Sequence, residues 1–325
     1  MRLNSIFEAE HYPEVYSQVH NLTDISSILG NMKDFSFAVN MLHKRNISVV
    51  LDLPLSPFIK QLSVSEKVMQ TETDITAEKN TWLFSMDSTS DNETERKSNT
   101  VGPKGIKRTE AHSGNMVSAA ISYWLKNGVD GIYLKGLEYL VDEPDFASLI
   151  QEWRMVTKSF NKGIDKEKIV MCSMDVLNAL DLEDNSSKVD AVLNSMDLID
   201  VSLDIVTNGT EGLKTQVDKA VKGVLFKKPG YPWIHWNIGN IDTRRLASQL
   251  PKGNATLAAV LFEMMLPGTP SIFYGDEIGL EEIKDPEGEV NYLYSFLLTL
   301  LFNYRMIHSC DRYIQHKQHS CYSVI

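Results

Sequence analysis

Five places in this 325-residue chain set a chemically capable side chain at or just past the end of an apolar run: Asp52, Lys135, Ser173 beside Cys172, Asp242 with Arg245, and Asp276-Glu277. Carboxylates in pairs do general acid–base work, and a lysine so placed can serve as a Schiff-base amine or a general base. Each also has a plainer reading. Asp52 stands two residues before Pro54, where an aspartate commonly caps or ligates a turn. A lone Lys135 is more simply a salt-bridge partner. Asp242 and Arg245 can form an ion pair, and Asp276 with Glu277 can brace the loop after Tyr274-Gly275. Cys172, Cys310 and Cys321 have no metal-ligand spacing and cannot make a disulfide framework, so neither a metal nor another cofactor is expected.

The elements that must position these residues alternate, strand then helix. β-Branched and apolar runs predict strands near 3–7, 47–53, 131–134, 168–172, 198–203, 231–236 and 271–274, the second of them ended by Pro54. Helical spacing predicts helices over 34–45, 116–125, 145–160, 175–182, 211–221 and 255–265, with Gly128 stopping the second. Repeated β-then-α units imply a parallel sheet, and this many imply a (β/α) barrel whose chemistry lies at the C-terminal strand ends. The barrel is expected over 1–285. A polar excursion at 61–114 interrupts it, with Trp82-Leu83-Phe84 as its apolar island. The tail, 286–325, has no assigned domain: a short apolar run leads into a basic end with no strand alternation or clean helical moment.

Composition narrows the partners. Hydrophobic residues at 43% and charged residues at 23% are those of a globular chain. A net charge of −11 with no clustered basic surface excludes a duplex nucleic-acid partner. The longest apolar run, 292–302, is shorter than the ~20 residues of a spanning helix. Six N-x-S/T sequons occur, where chance gives roughly three. Asn92, in the polar excursion, and Asn208, beside a glycine, are the most accessible by position. Asn185 and Asn254 follow at helix edges, then Asn21, while Asn46 leads into a buried strand and is expected to stay bare.

Three segments carry a resemblance to a known family. The run 266–279, Leu-Pro-Gly-Thr-Pro-Ser-Ile-Phe-Tyr-Gly-Asp-Glu-Ile-Gly, resembles the L-P-G-T-P-x-x-Y-Y-G-D-E-I-G stretch of the α-amylase (glycoside hydrolase 13) superfamily. Gly239-Asn240-Ile241-Asp242-Thr243-Arg244-Arg245 resembles its G-N-H-D-x-x-R segment, and the run from Gly128 to Lys135 its G-V-D-G-F-R-x-D segment. The helix opening Leu29-Gly30-Asn31-Met32-Lys33-Asp34-Phe35 and the strand Val49-Val50-Leu51-Asp52 match the same superfamily. The resemblance spans roughly residues 3–285 and implies a (β/α)8 TIM barrel of α-amylase type.

It also implies where chemistry should be, and there the chain departs. Retaining glycoside hydrolysis needs a carboxylate nucleophile and a carboxylic acid about 5–5.5 Å apart. The family's nucleophile falls on Lys135, its acid on Ser173, its substrate-binding histidine on Ile241, and an arginine on Tyr133; Asp242, its third carboxylate, is retained. A barrel so dismantled resembles the heavy-chain subunits of heteromeric amino-acid transporters (solute carrier family 3). That likeness implies an inactive ancillary subunit, a glycoprotein whose barrel lies outside the cell and whose partner is a light-chain transporter at the plasma membrane. The alternative it leaves is an α-glucosidase-type hydrolase. Relative to that family, the first barrel strand, the membrane anchor and the C-terminal β-sandwich fall outside these residues. The chain is therefore expected to be a fragment, with Ile6, Phe7 and Phe273 exposed where the barrel fails to close.

Overall fold

The computed structural model describes residues 1–4, 6–9, 19, 21–55, 107–161, 167–180, 185–206, 209–227, 229–251, 253–284 and 290–291. They fall into two compact units, 1–199 with 228–232, and 200–227 with 233–325. The first holds β1 (Arg2–Leu3), α1 (Met32–His43), β2 (Val50–Pro54), α2 (Lys107–Lys126), β3 (Gly131–Lys135), α3 (Phe146–Ser159), β4 (Ile169–Ser173), α4 (Asp175–Ala179) and α5 (Ser186–Ser195). The division falls within β5 (Leu198–Ser202). The second holds α6 (Gly209–Val221), β6 (Trp233–Asn237), α7 (Leu246–Gln249), α8 (Ala255–Met264), β7 (Thr269–Ser271) and an antiparallel pair, β8 (Ile283–Lys284) with β9 (Val290–Asn291). Strands β1 to β7 follow chain order, and the pairs β1–β2, β2–β3, β3–β4 and β6–β7 are parallel. The strand–helix alternation expected from the sequence is thus the observed architecture.

In the first unit each residue of the matched segments has a physical task. Asn31 caps α1, accepting the Lys33 N–H at 2.9 Å, while Asp34 reaches back to the Asn31 N–H at 3.0 Å, a reciprocal capping box. Gly30 has φ +119°, and a Cβ there would lie 2.6 Å from the Asp34 carboxylate, so no other residue fits. Phe35 and Phe7 both meet the buried Trp124 edge-on, at 5.1 and 5.7 Å, and the Trp124 indole donates to the Leu22 carbonyl. Gly131 lies so close to β4 that a Cβ would meet Ile169 Cγ1 at 2.4 Å.

Asp130 and Asp197 brace the N-terminal ends of the strands. Asp130, just before β3, accepts the Val49 N–H at 2.8 Å, lies 2.7 Å from His43 and receives Lys168 Nζ at 3.0 Å. Burial opposes its charge, yet these partners win and hold its pKa below the ordinary aspartate value. Asp197, just before β5, accepts the Val170 N–H at 2.8 Å and both Arg154 terminal nitrogens at 2.5 and 2.6 Å.

Several expectations need correction. β2 runs over Val50–Pro54, so Pro54 does not end the strand before itself. In the parallel ladder Leu55 N–H donates to the Lys135 carbonyl, so the missing donor of Pro54 faces the other side, beyond the two residues of β1. β7 is Thr269–Ser271, earlier than the expected 271–274. It is terminal in the sheet order, where Pro270 is tolerated. α2 begins at Lys107, inside the expected polar excursion, and α5 was not anticipated at all. Ile6 and Phe7 are buried rather than exposed, because Trp124 covers them from α2's side and Phe7 bridges to Ile25; Phe273 is half-buried. The excursion at 61–106 and the tail beyond Asn291 lie outside the described residues.

Candidate functional site

The strand ends of the first unit carry two of the expected residues. Lys135 closes β3 with its side chain buried, its carbonyl accepting from Leu55 N–H at 2.8 Å. Ser173 closes β4, and its hydroxyl is committed to the next helix: Oγ donates to Asp175 Oδ2 at 2.9 Å and accepts the Asp175 N–H at 3.1 Å. The residue thus makes a local turn with Asp175, the first residue of α4, whose N-cap is Met174. Asp52 is neither turn ligand nor acid. It points from the middle of β2 into a bidentate pair with Arg2, at 2.6 and 2.9 Å, and the Arg2 guanidinium lies 3.5 Å above the Tyr133 ring. Two charge-assisted hydrogen bonds thus satisfy a fully buried carboxylate. Sequence reasoning missed Arg2, whose partner stands fifty positions away.

The second unit joins two of the matched segments. Asp242 lies in an exposed turn whose backbone N–H donates to Asn240 Oδ1 at 2.8 Å, with Ile241 half-buried beside it. Arg245, three residues on, turns inward. Its Nη1 donates to the Tyr274 carbonyl at 2.5 Å, its guanidinium stacks 4.4 Å from the Phe273 ring, and it lies 3.8 Å from Asp276. A Cβ on Gly239 would lie 2.6 Å from Asp276 Oδ2, so that glycine makes room for the carboxylate. The segments 239–245 and 266–279 are therefore one knot. Asp276 and Glu277 brace the loop, as expected: Glu277 accepts the Gly275 N–H at 2.8 Å, and Asp276 sits buried. Burial pushes the Asp276 pKa up to about 6, against the pull of Arg245.

Four polar residues escaped the sequence reading. Glu263, on the inner side of α8, accepts the Ser271 N–H at 2.6 Å, and burial pushes its pKa up to about 7. Asp200 on β5 lies 2.7 Å from His235 Nδ1 on β6 and 3.5 Å from Asn237 Nδ2. The period-two alternation that places His235 and Asn237 on one face of β6 was the available signal. Among the described residues no group of three His, Cys, Asp or Glu could hold a metal ion, and no helix is long and apolar enough to cross a membrane.

The described sequons differ in accessibility. Asn254 is exposed ahead of α8, and Asn185 is half-buried at the start of α5 without a capping bond. Asn21 is tied up: its amide donates to Asp24 and its oxygen accepts from Thr23 N and Oγ1. Asn46 does not lead straight into a strand, since β2 begins only at Val50; it is exposed in a turn with φ 59°. Burial therefore gives no reason for it to stay bare. Asn92 and Asn208 lie outside the described residues.

No family model matches the chain. The amino acid transporter heavy chain SLC3A2 of Oryctolagus cuniculus is 24% identical over 271 residues, 82% of this chain and 39% of that one. A salivary alpha-glucosidase of Aedes aegypti is 23% identical over 197 residues, 49% of this chain and 33% of that one. Among solved structures, an alpha-amylase from H. orenii superposes with a TM-score of 0.55 at 19% identity, over 90% of this chain and 62% of that one. The fold is thus that of an α-amylase-type TIM barrel. The chain is similar to the rabbit, mouse and rat amino acid transporter heavy chains SLC3A2, at 24–30% identity. It spans well under half the length of these relatives.

Proposed function

We propose that this chain is part of a non-catalytic heavy subunit, one that escorts and stabilises a light-chain amino-acid transporter at the plasma membrane with its barrel extracellular. The observation that carries this reading is the likeness to amino acid transporter heavy chains, supported by the sequence resemblance, which implies that Lys135 and Ser173 fall where a glycosidase would have its nucleophile and acid. A lysine cannot form a glycosyl ester, and the Ser173 hydroxyl is already engaged with Asp175. Losing such groups even singly costs roughly 10⁴–10⁶ in rate. Co-expression of the complete transcript product with candidate light chains, followed by surface biotinylation, tests the escort role. Increased surface light chain is expected; an unchanged amount with every light chain would refute it. Glycans are expected at Asn254, Asn185, Asn92 and Asn208 and less at Asn21, which peptide mapping after secretory expression checks.

The second reading, an α-glucosidase-type hydrolase, is favoured by the likeness to the mosquito enzyme. It requires turnover of maltose or an aryl glucoside that Asp242→Asn abolishes. No hydrolysis above background is expected.

A further inference from the structure

Among the described residues Asn46 is the only non-glycine with a positive φ, 59°. Its place in the chain explains the backbone. α1 ends at His43; the Asn46 N–H donates to the His43 carbonyl at 2.9 Å, and the Ile47 N–H donates to the Leu42 carbonyl at 3.0 Å. That pair of bonds is the Schellman closure of a helix, whose left-handed residue is most often glycine and sometimes asparagine. The closure uses only the backbone of Asn46. Among the described residues neither its side-chain amide nor the Ser48 hydroxyl makes a hydrogen bond. Residues 43–47 are all exposed, and Ser48 is half-buried.

We infer that Asn46 is a site of N-linked glycosylation, an inference that rests on the extracellular reading of the barrel. A capping role accounts for Asn46 but not for the serine two positions on. Glycine would close the helix as well, and it would end the sequon. Asn46-Ile47-Ser48 supplies the amide that accepts the sugar and the hydroxyl by which the acceptor is recognised. In the transfer, Asn46 Nδ2 bonds to the anomeric carbon of an oligosaccharide carried on a lipid diphosphate. The bond from that carbon to the diphosphate breaks, the diphosphate leaves with the bonding pair, and the amide gives up one proton. A glycan is bulky and solvated, so the fold must leave its acceptor outside. Here it does, in the turn before β2. The other described sequons fall short on one count each. Asn21 spends its amide on Asp24, Asn185 is half-buried, and Thr256, the hydroxyl partner of Asn254, is buried in α8.

The test is expression of the full chain behind a cleavable secretion signal, followed by enzymatic glycan release in heavy-oxygen water, which turns each occupied asparagine into a labelled aspartate. Label at Asn46 in most chains is expected. Asn46→Gly, which keeps the left-handed turn, and Ser48→Ala, which keeps the asparagine, should each remove the gel shift of one glycan, and Ser48→Thr should retain it. An unlabelled Asn46 in chains labelled at Asn254 would overturn the inference and leave the extracellular reading standing. Label at Asn46 with surface light chain unchanged would uphold the site and remove the escort reading instead. No label at any sequon of the secreted chain would overturn both.

Discussion

The two ends of the same strands in the first unit are built on different plans. At the N-terminal ends, Asp130 and Asp197 each take a backbone N–H from a neighbouring strand, Val49 or Val170, and a basic side chain, Lys168 or Arg154. At the C-terminal ends stand Lys135, where the glycosidase resemblance implies a carboxylate, and Ser173, whose hydroxyl bonds to Asp175 at the start of α4. In barrels of this kind the first face carries stability and the second carries chemistry. The difference teaches where the holding lies: strands must be kept in register at their N-terminal ends whatever the rim does.

The sharpest way to break that comparison is to remove a brace. Asp130→Ala leaves Lys168 and the Val49 N–H without their shared partner, and is expected to cost about 3–5 kcal/mol of unfolding free energy in denaturant titration. A loss below 1 kcal/mol would show that the N-terminal ends are not the load they appear in the hydrogen bonds. Next in size is Arg245→Lys in the second unit. A lysine cannot both donate to Tyr274 and stack on Phe273, and a loss of about 2–3 kcal/mol is expected by the same measurement.

A pH series contrasts the units. Asp130 has a depressed pKa, so its contribution is present above the ordinary aspartate value and fades only as pH falls through its lower folded value. Glu263 and Asp276 are raised to about 7 and about 6, so their native forms bind more protons than the unfolded chain. Their contribution is full below the ordinary carboxylate range and is lost as pH rises through 6 to 7. Stability read between pH 5 and pH 8 should therefore fall by about 2 kcal/mol, and Glu263→Gln should flatten that slope. The smallest effect belongs to the rim. Ser173→Ala removes only the exposed bonds of its hydroxyl to Asp175, about 0.5–1 kcal/mol, and leaves the pH slope unchanged.

Local physics decided which features could be read from residues alone. β3 and β6 fall within three residues of their expected bounds because an apolar run between turn residues has few other solutions. The Gly128–Lys135 segment was readable down to single atoms in hindsight, as Gly128 needs a left-handed φ and Gly131 a bare Cα. α5 could have been found, since Val189, Val192, Leu193 and Met196 repeat at helical spacing. β7 was misplaced because Pro270 reads as a strand breaker until its terminal place in the sheet is known. At the site, Lys135, Ser173 and Asp242 were visible as residue types. The pairings that decide their behaviour, Arg2 with Asp52 or Arg245 with Tyr274, join distant positions that no periodicity connects.

The stack of Arg2 on Tyr133 has a consequence in time. β1 is two residues long, and its side-chain hold on the first unit comes from Asp52 in β2 and from an aromatic ring in β3. During synthesis at about 5–20 residues per second, that ring emerges roughly 7–26 seconds after the arginine. Until then the opening strand has no finished place to dock, and Phe7 waits likewise for Trp124. The opening residues of this chain are thus clients before they are structure, and a slowed ribosome between 52 and 133 would lengthen the interval in which a chaperone must hold them.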